Sequence, residues 1–217
     1  MRPALISKLS WSFPTATILL SSLLHIILGD ARDFPFFISE ADYPGIQRYI
    51  FTIGFSLSGL VLIYYSWLIF QSTKNTARWY WMNISLVMGI WVGGNLFVMS
   101  FYDMYDHIEI HVATSLNVFY FGWGWCVITH IGLPKASDSG KRIRKISMVT
   151  GLIGLIGMVY SISVGLDKYP EFVNNEWDFE KMQPYIDWAA PMEYLLAFSF
   201  IATIFSFENE IIGDEEE

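Results

Sequence analysis

The sequence has little charge: 16% of its 217 residues are Asp, Glu, Lys or Arg, against roughly 25% in average soluble domains. It has one cysteine, Cys126, so no intrachain disulfide can form, and the thiol reads as a small apolar side chain in an apolar run. There is no basic stripe with interleaved aromatics, and a net charge of −8 argues further against nucleic acid as a partner. No G-x-S-x-G elbow accompanies the histidines. No lysine falls in the middle of an apolar run, which argues against a retinal Schiff base, and no repeated or charge-lined filter suggests a channel. No internal repeat of the transporter kind is visible. The longest polar interval is about 20 residues, too short to build a soluble core.

What is present is apolar surface in blocks. Apolar residues make up 53% of the chain and aromatics 18%. Roughly 20 consecutive apolar residues cross a bilayer as a helix, and six such blocks lie at about 11–28, 50–70, 79–99, 111–133, 146–166 and 187–207. The expected fold is therefore an all-α integral membrane protein, one six-transmembrane-helix bundle over 1–207, in the plasma membrane or an endomembrane. An acidic cytoplasmic tail, 208–217, follows it. A cleavable signal is the rival reading of the first block, because Gly29, Asp30 and Ala31 follow it.

Orientation follows lysine and arginine bias. Arg2, Lys8, Lys74, Arg78, Lys135, Lys141, Arg142, Arg144 and Lys145 lie on the side of the N-terminus; Arg32, Arg48, Lys168 and Lys181 lie on the other. Nine against four places both termini in the cytoplasm.

Lipid gives helices no hydrophobic push together, so small residues carry much of their packing. The fifth span has Gly151, Gly154, Gly157, Ser161 and Gly165; the third has Gly89 and Gly93; the second has Gly54, Ser58 and Gly59. Packing within the chain is the expected use. Homo- or hetero-oligomerisation through the glycine row from Gly151 to Gly165 is the alternative.

The outer ends of the spans collect the ionisable groups. Glu193 lies inside the sixth span, where a carboxylate must be paired, protonated or wetted. His111 and Arg48 lie at similar depth, with Ser39, Asn95 and His107 around them. If the fourth helix begins early, Asp103, His107 and His111 share one face at i, i+4 and i+8. That trio could ligate zinc, but a charged rim is the preferred reading, and neither a metal nor a cofactor is expected.

Several stretches carry a family resemblance. Phe34-Pro35-Phe36-Phe37-Ile38-Ser39-Glu40 followed by Tyr43-Pro44 resembles the first-loop motif of the Frag/DRAM/Sfk family of six-span membrane proteins. Gly94-Asn95-Leu96-Phe97, then His111 with Phe119 and Gly122, is similar to its third and fourth spans. Glu193-Tyr194 followed by Phe198, Phe200, Phe205, Ser206, Phe207 and Glu208 resembles its last span. Pro44 with Gln47-Arg48-Tyr49 is similar to the branch containing the GPI-anchor remodelling factors. The resemblance implies a six-helix bundle acting on or with membrane lipids, with Ser39, Arg48, Asn95, His111 and Glu193 as motif positions.

The expected function is thus a lipid-associated membrane protein with an outer-leaflet polar pocket, in which Arg48 holds a phosphate and His111 and Glu193 share a proton or orient a head group. The lipid or GPI-anchor remodelling variant makes His111 and Glu193 catalytic, with Arg48, Ser39, Asn95 and His107 binding substrate. The alternatives are a small proton-coupled transporter using Glu193 and an assembly subunit without catalysis.

Overall fold

The computed structural model describes residues 3–133, 138–173, 178–208 and 210. Among them are six helices: α1 (Pro3–Ile27), α2 (Ile46–Thr73), α3 (Trp79–Met99), α4 (Ile108–Gly132), α5 (Asp138–Lys168) and α6 (Phe179–Ser206). Two 3-10 turns, Ile38–Ala41 and Pro170–Val173, sit in the connections, and no strand occurs among the described residues. The acidic tail expected at 208–217 lies outside the described residues except for Glu208 and Glu210, as do Arg2 and Lys135 of the charge bias.

Five helices, α1, α2, α3, α5 and α6, are long and apolar enough to cross a membrane. The expected fourth span differs. α4 has 25 residues, but His111, Thr114, Ser115, Asn117, Thr129 and His130 dilute its apolar surface. It forms a helix of spanning length with a more polar composition.

Three helices begin about eight residues before their apolar blocks: α1 at Pro3, α5 at Asp138 and α6 at Phe179. Hydropathy marks the part that fits lipid, whereas a helix continues into water as long as its ends are satisfied. At the start of α6, the Asp178 carboxylate accepts the Lys181 backbone N–H at 3.2 Å and also pairs with the Lys181 ammonium at 3.2 Å. Burial, weaker than these bonds, does not prevent them from holding its carboxyl below the usual range. The last eight residues before the sixth apolar block, 179–186, are consequently the first turns of α6.

Sequential helices α1 to α4 form a row of neighbours, and α5 pairs with α6. α6 closes the row by touching both α1 and α4. In its most apolar window 56% of residues are buried, against 28% in α5, so α6 is the inner wall and α5 the outer one. One apolar core gathers residues from α1, α2, α3, α4 and α6, including Phe51, Tyr65, Trp125 and Phe207. A smaller one joins α5 to α6 through Leu155, Met158, Met182 and Ile186.

Polar side chains stitch the neighbours together. Ser85 and Thr129 hydroxyls lie 2.6 Å apart between α3 and α4, and Thr150 and Ser199 lie 2.8 Å apart between α5 and α6. The Tyr65 hydroxyl donates to the Ile204 carbonyl at 3.1 Å. The glycine row of α5 faces α6: a Cβ on Gly154 would stand 2.7 Å from the Met192 carbonyl, and one on Gly157 2.8 Å from Met192 Cγ. That row packs against α6 within the chain, the use expected of it first. Outward-facing side chains are apolar, Ile53, Val87 and Ile156 among them, a surface that suits lipid and would be costly in water.

Candidate functional site

Residues 30–45 fold back over one end of the bundle as a lid. Phe36, Ile38, Glu40, Ala41 and Asp42 are all buried. The lid is fastened from several helices. Arg32 donates to Glu40 Oε1 at 2.6 Å and to Gln183 of α6, and its guanidinium lies over the Phe179 ring. Gln47 of α2 donates to Asp30 at 2.8 Å. The Tyr105 hydroxyl donates to the Glu40 carbonyl at 2.9 Å, and burial pushes that phenol's pKa up. Glu40 Oε1 also accepts the Phe37 backbone N–H at 2.7 Å, which tightens the 3-10 turn.

The central fastening is Glu193. Its Oε2 accepts the Ile38 backbone N–H at 2.7 Å, a bond between the lid and α6. Oε1 has no hydrogen-bond partner among the described residues. The His111 Nδ1 lies 2.6 Å from the Tyr102 carbonyl. A carbonyl can only accept, so Nδ1 carries the proton and the neutral ring keeps its lone pair on Nε2.

Two apolar spaces meet beneath the lid. A central cavity of about 70 Å³ lies among α1, α2, α3, α4 and α6. A groove of about 300 Å³ lies between α4 and α5. Ser39, His111, Ser115, Phe119 and Glu193 line both. The Ser115 Oγ is buried without a hydrogen-bond partner. The structure thus brings Ser39, His111 and Glu193 of the expected site to one junction and adds Ser115. Its signal was in the sequence, because Ser115 follows His111 by four residues and shares its helix face.

The other expected residues are placed elsewhere. Arg48 is ion-paired with the fully buried Asp103. Burial alone would raise the Asp103 pKa, but backbone N–H groups of Asp106 and Tyr105 together with Arg48 outweigh it and hold the carboxyl below the usual range. Asp42, buried beside this pair, has its pKa pushed up to about 7 by burial, and Asp103 adds to the push while Arg48 opposes it. Asn95 faces outward on α3, its amide donating to the Trp91 carbonyl at 2.9 Å. His107 is exposed at the N-cap of α4.

Asp103, His107 and His111 do not share a helix face, because α4 begins only at Ile108. Asp103 Oδ1 instead accepts Tyr105 N–H at 2.8 Å and Asp106 N–H at 2.6 Å, closing the turn before the helix. Among the described residues no three His, Cys, Asp or Glu side chains are placed to hold a metal ion.

An all-helical bundle with an apolar exterior, spanning helices and a folded lid over an internal cavity defines a polytopic integral membrane protein. The chain belongs to the family described as the Frag1/DRAM/Sfk1/Cwh43P N-terminal domain, whose model matches residues 8–212. No curated protein and no solved structure matches it significantly.

Proposed function

We propose that this protein binds a membrane lipid, holding the lipid's polar group at the lid-covered end of a six-span bundle whose termini are both cytoplasmic. The observation that carries the reading is the junction of the two apolar spaces, where Ser39, His111, Ser115 and Glu193 meet. Apolar space of this kind favours hydrocarbon over water. Polar groups at its edge need partners, and a lipid ester, carboxyl or hydroxyl supplies them. The charge bias supports the orientation, which makes the lid end the outer end. The first-loop and last-span motifs support membrane lipids, and the segment Gln47-Arg48-Tyr49 supports GPI-anchor lipids among them.

The test is native mass spectrometry of protein released from nanodiscs. Wild type should retain lipid, and Glu193→Gln and His111→Ala should each lose it by about tenfold, the equivalent of about 1.4 kcal/mol. A wild type without lipid, or variants that retain it equally, would sink the reading.

The His111 tautomer favours a second reading, an acyl transferase or hydrolase. With the proton fixed on Nδ1 by the Tyr102 carbonyl, Nε2 is the basic nitrogen that could take a proton from a hydroxyl. Purified protein should then turn lipid over, and His111→Ala should abolish the turnover while leaving the fold intact by circular dichroism.

A further inference from the structure

The lipid reading leaves open where the hydrocarbon lies. α4 and α5 are pinned together where the Trp123 indole donates to the Met148 carbonyl at 2.9 Å, with Gly151 against the same indole. From there toward the lid they part, and the groove of about 300 Å³ fills the gap. Its walls are two apolar rows at a spacing of four: Ile108, Val112 and Leu116 on α4, and Met158, Ile162 and Leu166 on α5. Spacing of four keeps each row on one helix face, running obliquely along the axis.

The groove has the dimensions of one leaflet. Twelve residues separate Ile108 from Tyr120, both lining it, and helix rise makes that about 18 Å. Half of a hydrocarbon core of ~30 Å is about 15 Å. The polar groups start from the lid end, where Ser39 and Glu193 join His111, and reach as far as Ser115, two turns below Ile108, while Trp123 closes the other end. Exposed Val112 and Ser163 leave its mouth open to the side.

We infer that the seam between α4 and α5 is a binding site for a single acyl chain of an outer-leaflet lipid, loaded sideways from the bilayer. This rests on the lipid-binding reading and adds the chain's location to it. The chain lies along the two apolar rows with its tail toward Trp123, and its ester or carboxyl end meets Ser39, His111, Ser115 and Glu193. A lipid already in that leaflet has the right direction, head outward and tail inward, and reaches the site without leaving the membrane. The central cavity, at about 70 Å³, is the smaller space and receives no whole chain.

The experiment uses the full chain in nanodiscs containing a phosphatidylcholine with a diazirine midway along one acyl chain. After irradiation, labelled peptides are mapped. Label should concentrate on Leu116, Val159 and Ile162, about tenfold above the lipid-exposed Leu57 and Ile90. Val112→Trp with Ser163→Trp, both at the groove mouth, should reduce that label and the retained lipid together. Retained lipid with label on Phe55 and Leu62 instead would overturn the seam and leave the lipid reading standing. Uniform label over all lipid-facing helices, with lipid retention still dependent on Glu193, would also overturn the seam alone. A wild type that retains no lipid would overturn both.

Discussion

Glu193 and Ile38 stand 155 residues apart in sequence and are joined by a 2.7 Å hydrogen bond from the Ile38 backbone N–H to the Glu193 carboxylate. The last helix thereby holds the first loop in place, and the same carboxylate faces both apolar spaces. A buried backbone N–H without a partner costs about 1–3 kcal/mol. Glu193→Ala should therefore loosen the lid, seen as faster hydrogen exchange at residues 36–42. Glu193→Gln keeps an acceptor and should preserve most of the protection. Equal exchange in Glu193→Ala and wild type would show that the bond does not hold the lid.

A second lock lies at the opposite end of the bundle. Arg144 is fully buried; it donates to Glu210 at 2.6 Å and to the Ser206 carbonyl at 3.2 Å, and lies over the Phe207 ring at 4.9 Å. Removing one member of a buried pair strands the other charge, at a cost of about 3–5 kcal/mol. Arg144→Ala should lower the thermal midpoint in detergent far more than Lys141→Ala, whose ammonium is only 3.9 Å from an exposed Asp138 carboxylate. Similar midpoints for the two variants would contradict the lock.

Asp42 gives a pH signature. A carboxyl in the unfolded chain loses its proton near pH 4, while burial, with Asp103 adding and Arg48 opposing, carries Asp42 to about 7 in the folded chain. Between those values the folded state binds more protons than the unfolded state. Its contribution to stability therefore falls as pH rises from about 4 to about 7 and is level above that. Asp103, held below the usual range, acts in the opposite sense and only at more acidic pH. Asp42→Asn should be the more stable protein at about pH 8, and the difference should vanish near pH 4. A stability difference that is the same at both pH values would rule this out.

Two adjacent glycines should respond differently to one methyl group. A Cβ on Gly93 would stand 2.6 Å from the Gly59 carbonyl across the α2–α3 contact, whereas one on Gly94 meets nothing within 4 Å. Gly93→Ala should cost about 1–3 kcal/mol by overpacking. Gly94→Ala should be neutral or stabilising by up to about 1 kcal/mol, because alanine is the better helix former. Thermal unfolding of both variants decides the point, and equal losses would refute the α2–α3 geometry.

Five of the helices were legible because their apolar blocks are long enough to span lipid, and the fourth was legible as a helix although its composition is more polar. Their ends were less legible. The polar first turn of α6 is closed by the Asp178 cap, to which hydropathy is blind. Glu193 and His111 could be singled out because an ionisable group beside apolar chain is costly wherever it points. Arg48 met the same test, yet its partner is Asp103, since charge alone does not say which of several carboxylates lies nearest. Arg144 read as one of a run of topology-setting cations and is instead a buried tie to Glu210.

The sequence by itself determined that this chain belongs in a membrane, how many long helices it forms and which family it belongs to, because those follow from local composition and short ordered motifs. Only the tertiary structure decided that the first loop is a buried lid, that Glu193 spends one oxygen on Ile38, and that Ser39, His111 and Ser115 join it where two apolar spaces meet. Those are contacts between residues far apart in the chain. They depend on the angles and depths at which the helices cross, which no local pattern encodes.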